Sequence, residues 1–186
     1  MSTFVERNLP IKDVPRVLAQ RVHNLEAAEV DITFDRYMAH SQKGCDFYWG
    51  RFYADFFNQT PVSRRDIEVI RLRLAAQSGC SFCRAYDIAS ASACGVTQIT
   101  IDALVESDRT RSEVTVLDDH DSTLAELTDS ISQFTPIFPV ADSLRRVLQN
   151  MYPDEEITEV FMVTGVLAGI GVMSVAAEFV PIECEI

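Results

Sequence analysis

Basic residues are scarce in this chain: 16 Lys and Arg stand against 28 Asp and Glu, a formal charge of −12. Nucleic acid and anionic bilayers are gripped by clustered Lys and Arg, so this balance argues against both as partners. Strand patterning is also sparse. Outside Val114 to Leu117 no β-branched run alternates with polar residues, and neither an internal repeat nor a low-complexity tract is present. The N-terminal residues Met1 to Arg7 lack the basic start and apolar stretch of a secretory signal, which gives the expectation of a cytoplasmic protein. Five cysteines make no even disulfide framework, and in a reducing compartment a Cys-x-x-Cys pair is more often catalytic or metal-binding than structural. A second Cys-x-x-Cys is missing as well. A zinc site would therefore need Cys94, Asp87 or a distant His to complete it, and no metal is expected.

What the chain does contain is ordinary globular material, 186 residues at 47% hydrophobic and 24% charged, enough for one domain with a sizeable core. Helices are expected almost throughout, an all-α single compact domain. Pro15 opens a first helix to about His23; a second spans Asp31 to Ala39, and the aromatic-rich stretch Cys45 to Phe57 makes a third. Ser63 with Asp66 forms a Ser-x-x-Asp helix start, Ser78 and Gly79 break that helix, and Gly95 closes the next. Further helices are expected over Thr97 to Glu106, Thr123 to Phe134 and Ala141 to Met151, with Ser107 to Ser122 as the longest loop. Val160 to Ala177 is uncharged and long enough to span a bilayer, yet Glu residues flank it and no Lys or Arg anchors it. It is read as a buried central helix, with Gly165 and Gly169 admitting a close neighbour. Gly169 and Gly171 lie inside this helix and follow no strand, so they make no dinucleotide fingerprint.

The most informative stretch is Glu68 to Asp87. Cys80 and Cys83 follow the Gly79 break, so they open a new helix, where unpaired N–H groups and the macrodipole favour the thiolate over the thiol. Spacings of three, four and seven place Cys80, Cys83 and Asp87 on one face, where two thiols could close a disulfide and a carboxylate could exchange a proton with them.

Glu68, eleven residues, Cys80-x-x-Cys83 and three further residues resemble the active-site pattern of the alkyl hydroperoxidase D-like branch of the carboxymuconolactone decarboxylase superfamily. Asp87 stands where that pattern has His. The stretch Tyr37 to Ser41, the Ser63 to Glu68 helix start, Gly95 to Thr97 and the apolar last helix are also similar, so the resemblance covers roughly residues 10–180. It implies an all-helical protein without a bound cofactor, assembled as a homo-oligomer, trimer or hexamer. It implies reduction of hydroperoxides through Cys80 and Cys83, with Glu68 and Asp87 as proton relay and a small dithiol or redox protein as electron donor. The aspartate changes the relay: its reference pKa of ~3.9 leaves it no proton to give at neutral pH unless burial or Glu68 raises it.

Two other readings stand beside this one. Glu68 and Asp87 could share a proton and serve decarboxylation or isomerisation of a small organic acid or lactone, with Arg71, Arg73 or Arg84 binding the anion. Alternatively the dithiol could govern assembly without turnover. For single residues the plainer reading is structural. Cys45, Cys94 and Cys184 carry no spacing signal, His23 and His120 read as surface residues, His40 as a helix-end residue, and Tyr86 as core.

Overall fold

The computed structural model describes residues 14–27, 32–106, 117–132 and 140–176, and all regular structure among them is helical. The described residues fall into two compact units, one reaching to Thr60 and including Ala176, the other running from Pro61 to Val175.

The first unit holds α1 (Arg16–Ala27), α2 (Thr33–Met38), α3 (Gln42–Cys45) and a π-helical segment (Asp46–Phe57). Helix α1 runs four residues past the expected end at His23, with Leu18 and Val22 giving it a fully buried face. Arg21 ties the unit together: its Nε donates to Asp35 Oδ1 at 2.7 Å and its guanidinium carbon lies 4.2 Å from the centre of the Trp49 ring. The third expected helix is found in place but wound more widely. A π-helix pairs residue i with i+5, and that repeat brings Tyr48 onto Tyr53 and Phe52 onto Phe57, with ring centroids 5.0 and 5.7 Å apart. Ring contacts of this kind offset the poorer hydrogen-bond geometry of the wide turn.

In the second unit α4 (Arg64–Ser78) is the central helix, packed by α5 (Ser81–Ala93), α6 (Gln98–Val105) and α7 (Asp119–Ser132), with α8 (Asp142–Met151) against α7. Local signals set its ends as expected. Ser63 Oγ accepts the Asp66 N–H at 3.1 Å, and Gly79 turns the chain at φ +65°, a left-handed conformation that costs a residue with a Cβ. Thr97 caps α6 in the same manner, its Oγ1 accepting the Thr100 N–H at 3.2 Å.

Three expectations require correction. Helix α7 begins at Asp119, inside the stretch expected to be loop, because Asp118 Oδ1 accepts the Asp121 N–H at 2.8 Å and starts the helix early; 107–116 lie outside the described residues. Helix α9 (Asp154–Ala176) starts six residues before Val160, its first turn carrying Asp154, Glu155 and Glu156 where the helix dipole favours negative charge. Nor is α9 buried all round, although by length and composition it could cross a membrane. Val160, Val163, Thr164, Leu167, Ala168, Gly171 and Ser174 face inward, while Met162, Gly165, Gly169, Val172 and Val175 lie exposed. Gly165 and Gly169 have no heavy atom near an added Cβ; the close approach is at Gly171, where a Cβ would stand 3.3 Å from Ser78 Oγ.

Candidate functional site

The candidate site lies where α4 turns into α5. Helix α4 is buried on every side from Asp66 to Ala76, although that stretch includes Asp66, Glu68, Arg71 and Arg73. Such a helix is tolerated only if each buried charge meets an opposite one. Glu68, with no exposed surface, accepts from Arg71 Nη1 at 2.9 Å on Oε1 and 3.0 Å on Oε2, and from Arg64 Nη2 at 2.9 Å. The other terminal nitrogen of Arg71, Nη2, donates to Asp87 Oδ1 in a short ion pair. One guanidinium thus bridges the two carboxylates. The direct proton sharing considered from the sequence is replaced by a shared counter-ion, because the i, i+3 step from Glu68 to Arg71 puts the planar fork of donors on the side facing α5.

The sulfur side is built by the helix break. Gly79 redirects the chain, and Cys80 becomes the N-cap of α5, its Sγ accepting the Cys83 N–H at 3.1 Å. Cys80 is therefore one position short of the first turn in which the sequence places it. The two cysteines are joined as a disulfide across a Cα–Cα distance of 5.3 Å, Cys80 only 3% exposed and Cys83 more open to solvent. Asp87 lies one turn beyond Cys83 on α5, so all four sequence candidates, Glu68, Cys80, Cys83 and Asp87, belong to one α4/α5 substructure.

Electrostatics distinguish Asp87. Burial pushes its carboxyl up to about 6; Arg71 pulls it down and Glu68 adds a further upward push. Desolvation outweighs the pull of Arg71 and the smaller pull of Arg64 because the group is only 6% exposed and the guanidinium bonded to it is shared with Glu68. Burial thus raises the carboxyl at position 87 well above the ordinary aspartate value of ~3.9.

Several neighbouring residues differ from expectation. Tyr86 is 44% exposed rather than core, and Arg71 Cζ lies 5.7 Å from its ring centroid. Arg71 and Arg73 are unavailable as anion anchors. Arg71 is held by Glu68 and Asp87, and Arg73 pairs with Asp129 through Nε at 2.6 Å and Nη2 at 2.8 Å. Arg64, passed over in the sequence except as part of the helix start, is 43% exposed at its side chain and reaches Glu68; its i, i+4 spacing was the available signal. His120 is more than a surface residue, since its Nε2 lies 3.0 Å from Asp66 Oδ1 while the Tyr152 hydroxyl donates to Asp66 Oδ2 at 2.6 Å. Burial and the Asp66 bond hold the Tyr152 hydroxyl well above the ordinary phenol range. Cys45 is buried and pushed up to about 11 by desolvation and then by Asp46 and Asp35, which makes it inert; His23 and His40 are exposed, and Cys184 lies outside the described residues. Among the described residues no group of three or more His, Cys, Asp or Glu side chains is arranged to hold a metal ion.

No protein family, curated protein or solved structure matches this chain.

Proposed function

We propose that this protein is a thiol oxidoreductase that reduces hydroperoxides with the Cys80/Cys83 dithiol and needs no bound cofactor. The observation that carries the reading is the pairing of a closed Cys80–Cys83 bond with a buried carboxyl, Asp87, one turn away and titrating at about 6.

Cys83 is the attacking sulfur, being the more exposed and the nearer in register to Asp87. Its proton passes to Asp87, and the thiolate attacks the distal oxygen of R–O–O–H. The O–O bond breaks, the sulfur is oxidised to a sulfenic acid, and the departing alkoxide takes the proton from Asp87 to leave as R–OH. Cys80 then attacks the Cys83 sulfur; the S–S bond forms, the S–O bond breaks, and hydroxide leaves with the Cys80 proton as water. Two electrons and two protons are consumed per peroxide. An external dithiol restores both thiols by exchange. Glu68 and Arg71 are positioning residues in this scheme, since Glu68 fixes the guanidinium that holds Asp87.

The decarboxylase or isomerase reading is weaker. A substrate carbon could reach Glu68 only by displacing Arg64 or Arg71 from its oxygens.

The test is reduction of cumene hydroperoxide by the pre-reduced protein with dithiothreitol, across pH. Expected are loss of turnover in Cys83→Ser and a gain in Asp87→His, whose imidazole holds a transferable proton at higher pH. Absence of peroxide consumption by wild type and Asp87→His alike would overturn the reading.

A further inference from the structure

We propose that Arg84 is the specificity-determining residue of this site and selects hydroperoxides that carry a carboxylate. The inference rests on the peroxidase reading above and deepens it.

Arg84 follows Cys83 in the first turn of α5 and is partly buried. At three residues from Asp87 it is spaced for an i, i+3 ion pair with that carboxylate, yet Asp87 is held by Arg71 from α4. Arg84 is consequently left with no hydrogen-bond or ion-pair partner for its side chain among the described residues. A partly desolvated guanidinium without a counter-ion is costly to keep and invites an anion.

The surroundings support one. Arg64 and Arg71 already balance Glu68 and Asp87, so Arg84, three residues from Asp87 on the same helix, adds a positive charge beyond that balance in a chain whose formal charge is −12. The first turn of α5 has no acidic residue, and its N–H groups add the positive end of a thirteen-residue helix dipole. Arg84 and Cys83 are adjacent in that turn, with Asp87 one turn beyond both. An acid end bound at Arg84 leaves the peroxide end of a short organic molecule within reach of Cys83 and Asp87. The carboxylate takes no part in the redox step, so atoms and electrons balance as for a neutral peroxide.

The experiment compares cumene hydroperoxide with its para-carboxylate in steady-state turnover, and measures binding of the unreactive para-isopropylbenzoate to the oxidised protein by calorimetry. Wild type is expected to favour the para-carboxylate in kcat/KM by about tenfold, the worth of one charge-assisted bond. Arg84→Gln should bring the ratio of the two substrates to about one through a rise in KM for the para-carboxylate, and Arg84→Lys should restore part of it. Para-isopropylbenzoate should bind about tenfold more weakly to Arg84→Gln. Equal kcat/KM for both peroxides in wild type, or binding of the unreactive acid that ignores Arg84→Gln, overturns the inference. If neither peroxide is consumed, the peroxidase reading falls, and the binding arm alone then decides whether Arg84 receives a carboxylate.

Discussion

Helices α4 and α9 invert the usual relation between composition and burial. The apolar α9 exposes Met162, Val172 and Val175 along one side, whereas α4, with five charged residues between Arg64 and Arg71, is buried over eleven consecutive positions. Hydrophobicity alone would have put α9 in the centre. What admits α4 there is pairing: Arg65 with Asp121, Arg71 with Glu68 and Asp87, Arg73 with Asp129, and Asp66 with His120 and Tyr152. An apolar helix can leave one face open at modest cost, but a charged helix in the interior must have every partner present.

The comparison breaks most severely at Arg71. Replacing it with Leu leaves Glu68 and Asp87 buried without the cation they share, and chemical denaturation should show a loss of about 3–5 kcal/mol. The variant that also carries Glu68→Gln and Asp87→Asn should recover most of that loss, since removing the whole ionic set is cheaper than removing one member.

Titration of Asp87 gives the next largest effect. Its carboxyl, at about 6 in the folded protein, lies above its unfolded value, so the folded state holds the proton more tightly. That contribution to stability is fully present below about pH 4 and is lost as pH rises through about 6, a total of about 3 kcal/mol for a shift of this size. Urea midpoints measured between these limits should fall more steeply with pH in wild type than in Asp87→Asn. Parallel slopes would remove Asp87 as the proton holder.

On α9 the effects are smaller and depend on the face. Gly171→Val pushes side-chain atoms against Ser78, and thermal unfolding should show destabilisation of about 1–3 kcal/mol, relieved in part by Ser78→Gly. Gly165→Ala and Gly169→Ala meet open space in a helix interior and should each stabilise by roughly 0.5–1 kcal/mol.

Much of the α4/α5 site was legible in the chain. Ser63, Gly79 and Gly95 act on their own backbone neighbours, so the helix ends they set can be read without knowing the rest of the molecule. The spacing of Cys80, Cys83 and Asp87 is likewise a property of a single helix. Less legible was which cation meets which carboxylate. Arg71, Arg73 and Arg84 lie within fourteen residues of one another, yet the first is held between two carboxylates, the second is drawn to Asp129 on α7, and the third has no side-chain partner among the described residues. The π winding over Asp46–Phe57 was hidden for a related reason, because rings at i, i+3, i+4 and i+5 fit more than one helical repeat until packing chooses.

By itself the sequence determined the helical class, the caps and the register of the cysteines, all consequences of short-range sterics and hydrogen bonds among residues a few positions apart. Tertiary structure decided that α4 rather than α9 occupies the centre, that Arg71 lies between Glu68 and Asp87, and that Asp87 titrates near neutrality. Those outcomes depend on desolvation and on charges brought together from different helices, and neither exists until the chain has folded.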